Sequence, residues 1–294
     1  MKTLIMRKYV SVVFAIVIVV VLGYVARVSL YRDTGVGEGY GGDLPIDEVY
    51  ADSSEGSKTY AREIPVLTYH HILTEEENPY PDNGMIISVE LFEKHMKYLH
   101  NEGFHTITLK ELELFLKNEI RLPEKSVLIT FDDGYKSNIV HAYPILKKYN
   151  QKAAIFIISS YITDETVAFN PEILQYASWE ELEKSNDVFE YGCHTHDFHH
   201  LEDDEGYLLT KSREAVREDL RVNLEMMQSP YFAYPYGHYN QEVIDVLKEL
   251  GYHMAFTVEE GNVQHGDNRF KLKRRNVYSF TSLKDFKRLL KPVR

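Results

Sequence analysis

From Ile64 onward, short apolar runs rich in β-branched residues alternate with amphipathic stretches, and this alternation constrains the fold more than any other feature of the chain. The apolar runs are 65–69, 126–131, 153–158, 188–193, 231–234, 254–258 and 275–278. Between them, 89–101, 109–118, 138–149, 211–228, 241–250 and 282–290 repeat their apolar residues with helical spacing. Parallel strands need long crossovers, usually helices, so the pattern predicts an α/β fold with a parallel sheet covered by helices. Seven strand candidates point to a distorted (β/α)7-type barrel rather than an open sheet. In such barrels the chemistry collects where strands end and loops begin. Reactive residues are therefore expected just past the ends of these runs.

The alternation occupies residues 63–294, enough for one catalytic domain with a buried core. Ahead of it, residues 9–26 are uncharged and almost wholly apolar, and roughly 18 apolar residues are about the minimum for a membrane-spanning helix. Lys2, Arg7 and Lys8 precede the run, which by the positive-inside rule predicts a cytoplasmic N-terminus and an extracellular catalytic domain. No small-residue cleavage site of a signal peptide follows it. Residues 1–31 are thus expected to be a cytoplasmic stub and transmembrane anchor, placing the protein in the cell membrane as a single-pass chain. Residues 32–62 carry Gly35, Gly37, Gly39, Gly41 and Gly42 among acidic residues and serines, the composition of a flexible linker. A net charge of −12 argues against nucleic acid, which selects basic surfaces. Cys193 is the only cysteine, which excludes a disulfide framework and a cysteine zinc cage. It is expected to be a small buried residue.

Three clusters follow strand candidates. Phe131-Asp132-Asp133-Gly134-Tyr135 comes first. Two adjacent carboxylates at a strand end repel each other, and a divalent cation offsets that repulsion; a polar turn with an Asp cap is the plainer alternative. Gly192-Cys193-His194-Thr195-His196-Asp197-Phe198-His199-His200 is the second. One carboxylate with two histidines leaves open positions on a metal, as catalytic sites require. Tyr231-Phe232-Ala233-Tyr234-Pro235-Tyr236-Gly237 is the third; its loop N–H groups could face the site and its aromatic faces could stack on sugar rings.

These segments, in this order, resemble the polysaccharide deacetylase family (carbohydrate esterase family 4, the NodB-homology domain), over roughly residues 64–280. The resemblance implies a distorted (β/α) barrel and a divalent metal, zinc being the usual choice. It assigns Asp132 as the catalytic base, Asp133 and His194 as metal ligands, and the Tyr236 N–H as the oxyanion donor. The common pattern puts the second histidine four residues after the first, where Phe198 stands. Five-residue spacing, found in the poly-β-1,6-N-acetylglucosamine deacetylase branch, selects His199, with His196 and His200 left as alternatives. The family's third motif carries an arginine that orients the base, and Ala233 takes its place here. No late Leu-x-His motif provides the general acid, and His265 lies in a polar stretch. Thr68-Tyr69-His70-His71 resembles the start of the same branch, which assigns His70 as the acid and His71 as its rival. Tyr135, Tyr234, Pro235 and Tyr236 are the expected substrate contacts.

The expected activity is therefore a metal-dependent N-deacetylase that releases acetate from extracellular poly-N-acetylglucosamine. Peptidoglycan and chitin-like oligomers are alternative substrates. A catalytically silent glycan-binding protein of the same fold is the alternative from a different class, favoured by the missing arginine.

Overall fold

Strands form here where nearly every side chain can be buried. The computed structural model describes residues 59–292, and among them β1 (Val66–Tyr69), β2 (Ser126–Phe131), β3 (Ala153–Ile157), β4 (Phe189–Cys193), β5 (Tyr231–Ala233), β6 (Met254–Glu260) and β7 (Leu272–Asn276) form one parallel sheet. Burial on both faces explains why β1, β2, β3 and β5 read as continuous apolar runs. The sheet closes because β1 pairs with β2 on one side and with β7 on the other. It is distorted: β4 and β5 share the pair Cys193–Phe232, and the β6–β7 register shifts between Phe256 and Glu260. The predicted seven-stranded barrel is present.

Helices α1 (Val89–Asn101), α2 (Leu109–Leu116), α3 (Tyr143–Lys148), α4 (Trp179–Lys184), α5 (Arg213–Met227), α6 (Gln241–Leu250) and α7 (Leu283–Leu289) surround the barrel. Ser88, Thr108, Ser178, Ser212, Asn240 and Ser282 start six of them, each side chain accepting an N–H from the first turn. The stretch expected as one helix over 138–149 opens as a π-helical turn, Asn138–Ala142, before α3. Pro144 lacks the N–H that a regular α-helix would need there.

Alternation along the strands sorts the interior. Leu67, Tyr69, Ile129, Phe131, Ile155 and Ile157 turn outward into the main apolar core with α1 and α3. Thr68, Thr130, Asp132 and Arg274 are buried polar residues of the opposite parity. Helix α2 crosses beneath the strand starts. There Glu113 accepts the Tyr231 hydroxyl (2.9 Å) and pairs with His253 (3.0 Å), while Glu190 accepts the Leu109 N–H (2.7 Å). The base of the barrel is thereby sealed, leaving the C-terminal mouth for chemistry. Strand β7 begins at Leu272, three residues ahead of the expected run, because its sequence Leu-Lys-Arg-Arg-Asn hides a strand behind charge. The inward Arg274 belongs to that hidden part.

No helix among the described residues is long and apolar enough to cross a membrane. This corrects the expectation of a single-pass protein in the cell membrane; residues 1–58, on which the anchor and most of the linker fall, lie outside the described residues. From the other end of the expected linker, Ala61 is buried and its N–H donates to the Leu122 C=O at 2.9 Å.

Candidate active site

Strand β2 delivers Asp132 and Asp133 at the mouth. Asp132 is 3% exposed, yet its carboxylate is fully paired: Arg274 donates from Nη1 to Oδ1 and from Nη2 to Oδ2, both at 2.7 Å. A two-pronged guanidinium–carboxylate contact fixes orientation as well as charge. Arg274 is itself held, its Nε donating to the Thr257 C=O at 2.8 Å. Burial works against the Asp132 charge, but the Arg274 cation, helped by His194 and His70, holds the carboxyl below its usual range. Asp132 is thus ionised, aligned and unable to rotate away. The arginine absent at Ala233 is present in space, supplied by β7. Sequence reading misses it because nothing in the third motif indicates that a strand two positions further round the barrel fills the same role.

Of the two histidines after β1, His70 faces this carboxylate, its Nε2 4.0 Å from Asp132 Oδ2. Its Nδ1 is buried with no hydrogen-bond partner among the described residues. His71 points the other way, as strand alternation requires. Its Nδ1 lies 2.6 Å from Ser137 Oγ and its ring stacks on Tyr135. Burial, then His141, hold it down at about 4, so it stays neutral. His265 is exposed and its ring meets Phe115 of α2, centroids 3.9 Å apart and planes tilted by 33°, at the opposite end of the barrel.

Asp133, His194 and His199 converge in the way the five-residue spacing predicts. Asp133 Oδ1 lies 3.4 Å from His194 Nε2 and 3.2 Å from His199 Nε2, and one ligand atom from each residue falls within 4.8 Å of the others. The edge of a tetrahedron with bonds of ~2.0–2.1 Å is about 3.3–3.4 Å, so Asp133 Oδ1 stands at ligand separation from both imidazole nitrogens. The second nitrogens are committed elsewhere. His194 Nδ1 donates to the Ala233 C=O at 2.8 Å, and His199 Nδ1 sits 3.1 Å from the Tyr236 hydroxyl, which itself donates to the His199 C=O at 3.2 Å. Each contact leaves Nε2 bearing the lone pair a metal needs. His196 binds Ser159 (3.0 Å) and His200 lies 3.9 Å from Asp197, so neither joins the group.

Asp219 on α5 holds the histidine loop. Its carboxylate accepts the N–H groups of His196 (2.9 Å) and Asp197 (2.7 Å). Burial pushes this carboxyl up to about 6, against the pull of those donors. Replacing Asp219 by alanine should release the loop and weaken metal retention at His199 by about 10–100-fold, read by competition with a chromophoric chelator. Unchanged retention would show that the loop is shaped without it.

The third loop folds on Tyr236, which takes φ 58, and Gly237, φ 73. A Cβ at Gly237 would lie 2.3 Å from Val258 Cγ2, so glycine is required there on both counts. Positive φ recurs at Asp133 (75) and Thr195 (74), so each of the three motif loops holds one non-glycine residue in this costly conformation. Two expected substrate contacts are corrected. Tyr234 is fully buried, its hydroxyl donating to the Phe270 C=O at 3.0 Å, and Pro235 is buried beneath the turn. Strand parity sends Tyr234 into the core; Tyr236, 40% exposed, reaches the mouth. Tyr135 remains at the site, stacked on Tyr176 (5.3 Å), which meets Tyr161 (4.6 Å). Tyr161 and Tyr176 carry no motif signal. The chain brings them in by zipping 175–177 onto 134–136, through Lys136 N–H to Gln175 C=O (2.8 Å) and Ala177 N–H to Gly134 C=O (3.1 Å). Burial, then the Asp133 charge, keep Tyr135 protonated.

Comparison with known proteins agrees with this geometry. The polysaccharide deacetylase family model matches residues 119–255. The Bacillus subtilis (strain 168) protein YxkH, assigned to the polysaccharide deacetylases, is 32% identical over 216 residues, covering 73% of this chain and 71% of its own. A Staphylococcus aureus (strain N315) poly-beta-1,6-N-acetyl-D-glucosamine N-deacetylase is 32% identical over 195 residues, 64% of this chain and 66% of that one. Among solved structures, IcaB from Ammonifex degensii superposes with a TM-score of 0.66 at 27% identity, covering 79% of this chain and 97% of its own. The Streptococcus pyogenes deacetylase PplD, in complex with acetate, shares the fold with a TM-score of 0.68 at 23% identity, over 80% of this chain and all (100%) of its own. On barrel, motif order and relatives together, the chain belongs to the polysaccharide deacetylase family.

Proposed function

We propose that residues 63–294 form a metal-dependent N-deacetylase that releases acetate from poly-N-acetylglucosamine. The observation that carries this reading is the juxtaposition of the Arg274-clamped Asp132 with the Asp133–His194–His199 triangle. The polymer is supported by the five-residue histidine spacing and by relatives named for that substrate. The donor set of one carboxylate and two imidazoles suits zinc.

Asp133, His194 and His199 would hold a divalent ion, which would supply Lewis acidity toward the acetyl carbonyl and lower the pKa of a nearby water. Asp132, ionised and fixed by Arg274, takes a proton from the water that attacks the acetyl carbon. The Tyr236 N–H takes no part in the two hydrogen bonds that close its own turn, Gly237 N–H to Tyr234 C=O and His238 N–H to Pro235 C=O. That leaves it to donate to the carbonyl oxygen as negative charge gathers there. When the C–N bond breaks, His70 delivers a proton to the departing nitrogen, giving acetate and a glucosamine unit. Arg274 fills the place of the arginine whose absence favoured a silent glycan-binding protein.

Free amines should appear when the zinc-loaded chain meets poly-β-1,6-N-acetylglucosamine, and at a much lower rate with chitin oligomers or peptidoglycan fragments. Amines from peptidoglycan alone would keep the mechanism and change the polymer. Glycan binding with no amine from any of the three would sink the enzymatic reading.

A further inference from the structure

The mouth continues on one side into aromatic surface that none of the chemical steps uses. Alternate residues of β7 share a face. Arg274 points inward to Asp132, Asn276 comes next on that side, and the same alternation carries Tyr278 toward the rim. Asn276 lies opposite Thr68 in register, and the Val277 N–H donates to the Thr68 C=O at 3.0 Å. Tyr278 follows two residues past this pair, and His70 follows two residues past Thr68, so both lie beyond the C-terminal ends of neighbouring parallel strands. Phe280 stacks on Tyr278, ring centroids 5.2 Å apart and planes within 10°. The Gly84 backbone backs the pair: its C=O accepts the Ser279 N–H at 2.8 Å, and a Cβ there would meet Phe280 Cε1 at 3.4 Å and Tyr278 Cδ1 at 3.9 Å.

Phe280 is 74% exposed, the most exposed large apolar residue of the described chain. So little of its ring is buried that it adds little to folding. Two parallel rings at the edge of a cleft instead form a flat apolar surface. A β-linked N-acetylglucosamine unit has the matching shape, since its equatorial substituents leave flat C–H faces ringed by hydroxyl groups. Polar partners for such a rim are close by: Asn276 Nδ2 donates to Glu260 Oε1 at 3.1 Å. The ring after β7 and the Tyr161–Tyr176 wall after β3 flank the β1–β2 pair that carries His70 and Asp132. A polymer crossing the centre would meet aromatic surface on both sides.

We propose that Tyr278 and Phe280 form a subsite that stacks a flanking sugar of the same amino-sugar polymer, beside the unit being deacetylated. This rests on the reading of the chain as a glycan deacetylase. The subsite makes the enzyme sensitive to chain length, because only an oligomer spans the centre and the rings together.

The test is acetate release by the full zinc-loaded chain from the β-1,6-linked N-acetylglucosamine monomer and pentamer, with hydrolysis of a small acetyl ester measuring the fraction of loaded sites. Phe280→Ala should raise KM for the pentamer about five- to tenfold, with kcat changed far less, so the pentamer loses its advantage over the monomer. Phe280→Tyr should restore it. An unchanged pentamer KM in Phe280→Ala overturns the subsite and leaves the deacetylase reading standing. Wild-type protein that cleaves the ester but not the pentamer overturns the substrate reading instead. The subsite is then read by calorimetric titration with the pentamer, where equal affinity for wild type and Phe280→Ala overturns it and weaker binding by the variant supports it.

Discussion

Replacing Arg274 by methionine is expected to cut kcat by about 10²–10⁴-fold, the usual worth of a positioned general base. Methionine fills much of the space but leaves the Asp132 carboxylate, 3% exposed, without its counterion. Breaking a buried pair by removing one partner costs about 3–5 kcal/mol, since the remaining charge stays desolvated. The variant relieves part of that cost by protonating Asp132, which removes the base. In the wild type, the folded value lies below the usual carboxylate range. The pair's stabilisation is therefore present above the unfolded value of about 3.9, and is lost as pH falls through the still lower folded one. In Arg274→Met the acid limb of kcat/KM should move to higher pH. Arg274→Lys keeps the charge without the two-pronged geometry, so it should restore the limb more than the rate. A methionine variant with the wild-type rate and acid limb would show that Arg274 is only structural.

Asp132→Asn should lower turnover by roughly 10³-fold or more while the protein keeps its metal. The group proposed to hold it is Asp133, His194 and His199, which the substitution leaves in place. Zinc content after gel filtration is the readout that separates a lost base from a lost site. The same change leaves the Arg274 guanidinium, with no exposed surface, facing an uncharged amide, so unfolding should come earlier by about 3–5 kcal/mol. Because both substitutions break one pair, their effects should not add: the double variant should be less destabilised than the sum of the singles. Additive losses would mean that the two side chains act separately.

The barrel was legible because its strands are short, apolar and separated by helical spacing; five of the seven are located to within a residue at both ends. Asp132, Asp133, His194 and His199 were legible because their loops follow those strands and keep motif spacing. Three features were not, each for a physical reason. Arg274 hides in a strand whose sequence is mostly charged and becomes apolar in effect only through its carboxylate partner. Tyr234 and Tyr236 look alike in sequence, and only the end of β5 decides that one packs inside while the other reaches the mouth. Tyr161 and Tyr176 arrive through a two-residue ladder between distant segments, which no local pattern records. The choice between His70 and His71 likewise fell to strand parity, with Ser137 and Tyr135 claiming His71.

The most direct test of the central claim is acetate release by the full chain, stripped of metal by chelation and reloaded with zinc, acting on poly-β-1,6-N-acetylglucosamine oligomers. Release should be absent after stripping, return with one zinc per chain, and fail to return in His199→Ala. Equal release by stripped and reloaded protein would contradict that claim. So would a fully zinc-loaded chain that leaves every acetylated oligomer intact.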